Sequence, residues 1–266
     1  MSWVDIGVNL IDSAERFSAI VQRAQAAKVN QLILTGTSVS KSREAVILAE
    51  QYPPYLFTTV GVHPHHASEF DDHSYAELKT LADSNKVVAI GECGLDFNRN
   101  FSPPAAQLHA FERQLALAVE LALPVFLHER DAFAAQISLL EKYRPALVGG
   151  VVHCFTGNRQ QMAAYLDLDL YIGITGWVCD QNRGEALRDA LKYMALNKLL
   201  LETDAPYLRP KGLANNRKVD GGQNEPAYLP YIAQEVANLM GLSVAEIEQN
   251  SVANSHALFN LGAKHA

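Results

Sequence analysis

Residues 87–92 of this 266-residue chain read Val-Val-Ala-Ile-Gly-Glu, a short apolar run that ends in a carboxylate. Residues 125–128, Val-Phe-Leu-His, and residues 148–153, Val-Gly-Gly-Val-Val-His, have the same form. Short continuous apolar runs are typical of strands that are buried on both faces, as in a parallel sheet. A segment with helical periodicity follows each run, so the pattern predicts repeated strand–helix units.

Eight runs of this kind occur along the chain, and helical patterns separate them. The predicted strands are residues 4–9, 31–35, 57–62, 87–92, 125–128, 148–153, 170–174 and 199–203. The predicted helices are residues 14–27, 41–52, 75–83, 104–121, 132–143, 159–167, 184–195, 227–240 and 244–258. Eight such units in a chain of this length favour a single α/β domain, residues 1–266, folded as a TIM (β/α)8 barrel. The alternative is a distorted or seven-stranded barrel.

Cap residues support the predicted helices. Ser13, Ser40, Ser74 and Ser243 stand at predicted N-termini, and Ser243 with Glu246 matches a capping box. Gly241 is expected to end the penultimate helix.

The overall charge restricts the possible partners. Twenty-two Lys+Arg against 29 Asp+Glu give a net charge of −7, which argues against a broad basic face for duplex DNA. The segment 205–224 is a local exception, because Arg209, Lys211, Arg217 and Lys218 outnumber Asp220. A loop of this length is expected to be functional or mobile. Its basic part either guides a nucleic-acid backbone or is a solvated loop.

Cysteine content and hydropathy predict the compartment. Cys93, Cys154 and Cys179 are odd in number and lack C-x-x-C spacing, which argues against a disulfide framework or a zinc ribbon. The N-terminus lacks a signal-peptide pattern, and no run approaches the roughly 18 apolar residues that a membrane span needs. We therefore expect a cytoplasmic protein without a membrane partner.

Four predicted strands end in potential metal ligands: Glu92, His128, His153 and Asp204. In a TIM barrel the active site lies at the C-terminal ends of the strands, so all four side chains are expected to face one mouth. Two imidazoles with two carboxylates are suitable ligands for a divalent cation. The alternative is that each residue separately finds a hydrogen-bond partner or solvent at the rim.

Other polar residues are expected at the same mouth. His63 follows the third strand and suits a second metal ligand, a phosphate contact or a general acid. Asp204 suits a ligand or a base. Glu202 alternates with Asp204 and either orients a histidine or is an acid buried for packing.

The rim also carries basic and aromatic side chains. Arg99 and Arg130 either hold phosphate or form salt bridges with Asp96 or Asp131. Strand alternation is expected to turn the two cysteines that follow proposed ligands, Cys93 and Cys154, away from the barrel interior. Nucleic-acid bases could stack on rim aromatics, which could equally be packed under loops: Phe97, Phe101, Trp177 and Tyr207.

Several long motifs carry a family resemblance. Residues 61–65 (Gly-Val-His-Pro-His), 91–97 (Gly-Glu-Cys-Gly-Leu-Asp-Phe), 124–131, 153–157, 173–176 and 202–208 resemble the TatD family of metal-dependent nucleases. The resemblance implies a TIM barrel of the metallo-dependent hydrolase superfamily, with Mg²⁺-supported exonuclease activity from the 3′ end of single-stranded DNA and RNA. It also implies metal binding by Glu92, His128, His153 and Asp204, with His63 and His65 as substrate or auxiliary residues.

One segment departs from the usual pattern of that family. Most members carry H-x-H at the end of the first strand, whereas Gly7 and Asn9 occupy those places here. Residues 5–10 and 176–180 resemble the subgroup for which the family is named. With only Asn9 available, a second ion would be weakly held, so we expect one metal in the resting state. Mg²⁺ is the expected metal, and Mn²⁺ and Zn²⁺ also suit the ligands.

The expected protein is a monomer that acts on single-stranded 3′ ends, with Glu92, Asp204 and His63 as catalytic residues. Substrate contacts are expected from His63, His65, Arg99, Arg130 and Tyr207, and support from Glu202 and Asn9. Two other classes remain open. One is a hydrolase of the same superfamily that cleaves an ester, amide, lactone or aminoacyl-tRNA. The other is a non-catalytic binding barrel.

Overall fold

Eight parallel strands form one sheet, with their order in space equal to their order in the sequence. The computed structural model describes residues 2–11, 14–213 and 222–261. The strands are β1 (Trp3–Val8), β2 (Val29–Leu34), β3 (Leu56–Val60), β4 (Val87–Asp96), β5 (Val125–Arg130), β6 (Gly150–Val152), β7 (Tyr171–Ile174) and β8 (Leu199–Leu201).

Helices follow the strands and surround the sheet. They are α1 (Ala14–Ala26), α2 (Val39–Glu50), α3 (Asp72–Leu81), α4 (Pro104–Leu121), α5 (Phe133–Tyr143), α6 (Arg159–Asp167), α7 (Glu185–Leu191), α8 (Leu229–Met240) and α9 (Val244–Phe259). The alternation confirms the predicted strand–helix units. In the part of the chain that the structure describes, no helix is both long enough and apolar enough to cross a membrane.

The sheet closes on itself between β8 and β1. Val8 and Ala205 form a parallel bridge just beyond β8. The Asp204 amide donates to the Gly7 carbonyl at 2.9 Å, and the Asn9 amide donates to the Ala205 carbonyl at 2.6 Å. The TIM-barrel prediction is confirmed, and the seven-stranded alternative is wrong.

The core has two layers, one inside the barrel and one between the strands and the helices. Residues such as Leu32, Leu127 and Leu199 pack outward against the helices and are fully buried. The barrel interior is filled mainly by side chains from alternate positions of the strands: Val4, Ile6, Ile33, Phe57, Val88, Ala89, Phe126, Val151 and Leu200, with Phe259 and Leu261. The polar side chains of the cavity lie above this apolar interior, at the C-terminal ends of the strands, which we call the upper end of the barrel.

Strand lengths at that upper end differ from the prediction. β4 continues past Glu92 to Asp96, and β5 continues past His128 to Arg130. Asp96 and Arg130 pair across the two strands, so this side of the barrel is extended above the others. β6 and β8 are shorter than predicted, since β6 ends before His153 and β8 ends before Glu202 and Thr203.

The cap predictions are confirmed in part. Ser243 and Glu246 form the capping box of α9, and Gly241 follows α8 with a φ of 69°. α2 begins after Ser38 rather than Ser40, because the Ser38 hydroxyl accepts from the Lys41 amide. α3 begins after Asp71, whose carboxylate accepts from the Ser74 amide. Ser13 lies outside the described residues.

Candidate active site

A cavity of about 1050 Å³ opens at the C-terminal ends of the strands. Most of the residues proposed from the sequence line it, and Glu202 lies fully buried among the residues around it. The lining residues proposed from the sequence are Asn9, His63, His65, Glu92, Arg99, His128, Arg130, His153, Asp204 and Tyr207.

Glu92 is the centre of the site. One carboxylate oxygen, Oε1, lies 2.9 Å from His128 Nδ1, 3.1 Å from His153 Nε2 and 3.3 Å from His63 Nε2. Burial alone would raise the pKa of Glu92, but the surrounding imidazoles hold it well below its ordinary value. The backbone before Glu92 requires glycine: Gly91 has a φ of 143°, and a Cβ there would lie 2.2 Å from the Phe126 carbonyl oxygen.

His153 is oriented by Glu202 from beneath. Its Nδ1 lies 3.0 Å from Glu202 Oε2, while Glu202 Oε1 accepts from the Cys154 amide at 2.5 Å. A carboxylate accepts only, so Nδ1 donates to Glu202, and this bond fixes the ring with Nε2 turned toward Glu92. Burial opposes the charge on His153, but Glu202 and Glu92 raise its pKa well above the ordinary value.

Glu202 occupies space that glycines leave open. A Cβ on Gly7 would lie 2.4 Å from Glu202 Oε2, and one on Gly173 would lie 2.5 Å from Glu202 Oε1. Any side chain at either position would displace the carboxylate that orients His153. A side chain at the first place of the H-x-H pattern would therefore require Glu202 to move from His153.

Asp96 belongs to the site, although the sequence suggested it only as a salt-bridge partner of an arginine. Its Oδ2 lies 2.7 Å from His65 Nε2 and 3.7 Å from His128 Nε2. Its Oδ1 accepts from the backbone amides of Asn98 and Arg99 at 3.0 and 2.8 Å. Burial raises the pKa of Asp96, but these donors together lower it below the ordinary value. The available signal was period-two alternation along β4, which puts Glu92 and Asp96 on one face.

His63 is held in one tautomer by the chain that follows it. Its Nδ1 accepts from the His65 amide at 3.1 Å, as the N-cap of the short helix Pro64–Glu69. With Nδ1 as acceptor, the proton of the neutral ring is on Nε2, which faces Glu92. Burial lowers the pKa of His63 to about 4, so the ring is neutral at pH 7. This arrangement favours a hydrogen-bond donor among the roles left open for His63.

Asp204 lies on the opposite side of the site, next to β1. Its Oδ1 accepts from Asn9 Nδ2 at 2.7 Å, and its backbone has a φ of 56°. Burial raises the pKa of Asp204 to about 7, with smaller effects from His153, which opposes the shift, and from Glu92. Behind it, both oxygens of the buried Asp5 accept from Thr203, which fixes the segment after β8 that carries Asp204.

The donor set fits a divalent cation. Ligand atoms of His63, Glu92 and His128 all lie within 4.8 Å of one another. His153 presents a correctly oriented nitrogen to the same Glu92 oxygen. His128 Nε2 is buried and has no hydrogen-bond partner among the described residues, with Asp96 Oδ2 3.7 Å away. Glu92, His128 and His153 can therefore hold a metal ion, whereas both nitrogens of His63 are already used as described above; the chemistry of the donors does not select one metal.

Arg99 and Arg130 have no ion pair among the described residues, so the predicted salt-bridge alternative does not hold. Asp96 is occupied by the donors described above, and Asp131 accepts from the Asn98 side chain at 2.7 Å. Both arginines line the cavity, and their charges are available there.

The cysteines and aromatic residues predicted near the rim differ in where the structure places them. Cys93 is buried in the outer core, as predicted, but the prediction for Cys154 is wrong. Cys154 lines the cavity because β6 ends at Val152 and the backbone turns at Cys154 with a φ of 47°, which breaks the alternation. Trp177 and Phe97 are half-buried, whereas Phe101 and Tyr207 are exposed.

The basic segment after β8 is described only in part. Lys211 pairs with Asp180 at 2.8 Å, and the Arg209 guanidinium lies 5.5 Å from the centre of the Tyr228 ring. These two cations therefore contact the protein itself. Arg217, Lys218 and Asp220 lie outside the described residues.

Comparisons with known proteins agree on one family. The family model described as TatD related DNase matches residues 4–260. A relative from Citrobacter rodentium, named 3′-5′ ssDNA/RNA exonuclease TatD, is 50% identical over 98% of this chain and 99% of its own. A relative of the same name from Erwinia tasmaniensis is 48% identical over 97% and 99%. The crystal structure of YJJV, a TatD homologue from Escherichia coli K12, has a TM-score of 0.87 and 30% identity, covering 97% of this chain and 98% of that one.

Proposed function

The chain belongs to the family of TatD related DNases, and on that premise we propose that it is a metal-dependent 3′-5′ exonuclease that hydrolyses phosphodiester bonds of single-stranded DNA and RNA. The observation that carries the proposal is the convergence of three imidazoles on one Glu92 oxygen, in a cavity that also holds Arg99 and Arg130. This combination suits a reaction at a phosphate.

Glu92, His128, His153 and Asp204 are the residues that we assign to the metal. A divalent cation held there supplies a Lewis acid for the phosphoryl oxygen and lowers the pKa of a bound water. Mg²⁺ is the proposed ion, with Mn²⁺ and Zn²⁺ as alternatives that suit the imidazoles. Because Asn9 and Gly7 take the places of the usual histidines, we propose a single firmly held ion.

The protein groups have distinct tasks in this proposal. Glu202 keeps the His153 proton on Nδ1, so that Nε2 remains directed at Glu92. Burial raises the pKa of Asp204 to about 7, so its carboxylate can accept a proton from the attacking water. His63 donates from Nε2 toward the reacting phosphate, and Arg99 and Arg130 offset its charge.

The substrate end would enter at the mouth, where His65 and Tyr207 also lie. Single-stranded ends suit a recessed site that a duplex cannot reach. We further propose a monomer in the cytoplasm, supported by three cysteines that are free. Light scattering of the purified protein and cell fractionation test these two points.

The test is degradation of a 5′-labelled single-stranded oligonucleotide with Mg²⁺. We expect a ladder of products that shorten stepwise from the 3′ end, and strong inhibition by EDTA. A circular single strand should resist cleavage. A panel of carboxylic esters, lactones and aminoacyl-tRNA is assayed in parallel. Cleavage of one of these in place of the oligonucleotide would replace the nuclease proposal with another hydrolase activity.

A further inference from the structure

Exposed aromatic rings are concentrated at the mouth of the barrel. Five large hydrophobic side chains in the described part of the chain are more than half exposed, and Phe101, at 65%, is the most exposed of them. Tyr207, at 61%, lines the cavity. A large ring left in water beside a cavity indicates a surface that is covered when a ligand binds.

The backbone beneath Phe101 is firmly fixed, although its ring is exposed. The hydroxyl of the next residue, Ser102, donates to the His65 carbonyl at 3.0 Å and accepts from the Ser68 amide at 3.0 Å. The Ser102 carbonyl accepts from the buried Gln107 side chain at 2.8 Å. The ring is thus presented by an ordered loop, which lowers the entropic cost of binding a ligand on it.

Phe101 continues a row of rings that begins at the site. The His63 ring, whose Nε2 faces Glu92, lies 4.2 Å from the His65 ring between centroids. The His65 ring lies 4.7 Å from the Phe101 ring in an edge-to-face arrangement. Asp96 fixes both His65 and the Arg99 amide, so buried groups brace this side of the mouth. Two ring-to-ring steps separate Phe101 from the proposed reaction centre.

An exposed aromatic elsewhere on the protein shows a useful contrast. Tyr193 is 55% exposed, but the Arg159 guanidinium covers its face at 3.5 Å from the ring centre. The Arg99 guanidinium lies farther from the Phe101 ring, 5.9 Å from its centre, and Phe101 is 65% exposed, so the Phe101 ring is not covered in the same way. Phe101 therefore offers a surface on which a planar ligand can stack.

We propose that Phe101 is a stacking platform for a nucleobase next to the scissile phosphate, with Arg99 beside it to contact the strand's phosphates. This proposal rests on the proposed nuclease function and adds a subsite to it. Every base has a π-face, so stacking gives affinity without strong sequence preference. A guanidinium next to the stacked base supplies the charge that the backbone needs.

The test compares Phe101→Ala and Phe101→Trp with Tyr193→Ala, the matched exposed aromatic. Two oligonucleotides of equal length are used, one complete and one whose 3′-terminal nucleotides lack bases. Phe101→Ala should raise KM for the complete oligonucleotide about ten-fold with little change in kcat, and Phe101→Trp should retain wild-type KM. Tyr193→Ala should behave as wild type on both substrates.

The base-free oligonucleotide isolates the stacking contribution. Wild type should have a KM about ten-fold higher for it, and Phe101→Ala should add no further loss. Equal KM values for Phe101→Ala and wild type on the complete oligonucleotide, or an equal loss on both substrates, would overturn the proposal. Anisotropy with a cleavage-resistant phosphorothioate oligonucleotide measures the same difference without turnover. It therefore tests the stacking subsite even if wild type proves not to be a nuclease.

Discussion

The two sides of the site hold their carboxylates in opposite ways. On the β4–β6 side, Glu92 is surrounded by imidazoles, and its pKa is lowered despite burial. On the β8–β1 side, Asn9 is the one side-chain donor to Asp204 among the described residues, and burial raises the pKa of Asp204 to about 7. The difference indicates that a carboxyl group is held in its charged form on one side and is closer to proton exchange on the other.

The two sides also differ in what supports them. Glu202 and Asp96 stand behind the imidazoles and accept from them or from nearby backbone amides. Behind Asp204 lies Asp5, a buried carboxyl group whose two oxygens accept from Thr203. We infer that the β4–β6 side anchors the cation. The β8–β1 side is less firmly held, and we call it the adaptable side.

The largest effect is expected from Glu92→Gln, which removes the charge at the centre of the anchored side. The amide cannot accept from three imidazoles as the carboxylate does, and it is a poor metal ligand. We expect at least a thousand-fold loss of kcat in the oligonucleotide assay and a large loss of metal affinity by calorimetry. Glu225→Gln, a buried carboxylate paired with Arg23 at 2.7 Å, is the control. If Glu92→Gln kept one-tenth of the wild-type activity, Glu92 would not be the main ligand of the cation.

Glu202→Gln tests the support of that side. Glu202 uses one oxygen for His153 and the other for the Cys154 amide, whereas glutamine has one oxygen for these two donors. One donor would face the side-chain NH₂, so His153 should lose its fixed ring orientation. We expect a loss of roughly 10- to 100-fold in metal affinity or activity. The melting temperature separates this from unfolding, and unchanged metal affinity in a folded variant would contradict the assigned role.

Asp96→Asn should have a smaller effect, on substrate binding more than on turnover. The amide oxygen can still accept from the Asn98 and Arg99 amides, but the NH₂ group would face His65 and His128. We expect KM to rise roughly ten-fold and kcat to fall less. Asp131→Asn, which alters a carboxylate that contacts Asn98, is the matched control. A fall in kcat without a change in KM would contradict a role in substrate binding. It would mean that Asp96 acts only through the metal ligand His128.

The sequence was sufficient for the barrel, because apolar runs and their spacing are local properties of the chain. It also identified Glu92, His128, His153 and Asp204 as side chains at the mouth. It did not identify Asp96 as a site residue, since the extension of β4 beyond Glu92 depends on pairing with β5. The requirement for Gly7 was equally hidden, because the atom that excludes a side chain there belongs to Glu202, far along the chain.

The smallest expected effect on the site comes from Asp5→Asn, which tests the adaptable side through stability. Burial raises the pKa of Asp5 to about 8, against an ordinary value of 3.8 in the unfolded chain. Between these values the folded state holds a proton that the unfolded state lacks. Asp5 therefore favours folding fully below about pH 4 and loses this contribution as pH rises toward 8, by up to about 1.4 kcal/mol per pH unit.

Asparagine can still accept from the Thr203 amide and donate to its hydroxyl, so the fold should persist. Urea unfolding from pH 4 to 8 should show a flatter dependence for the variant than for wild type. Parallel curves would mean that Asp5 is ionised in the folded protein, and the contrast between the two sides would then rest on Asp204 alone.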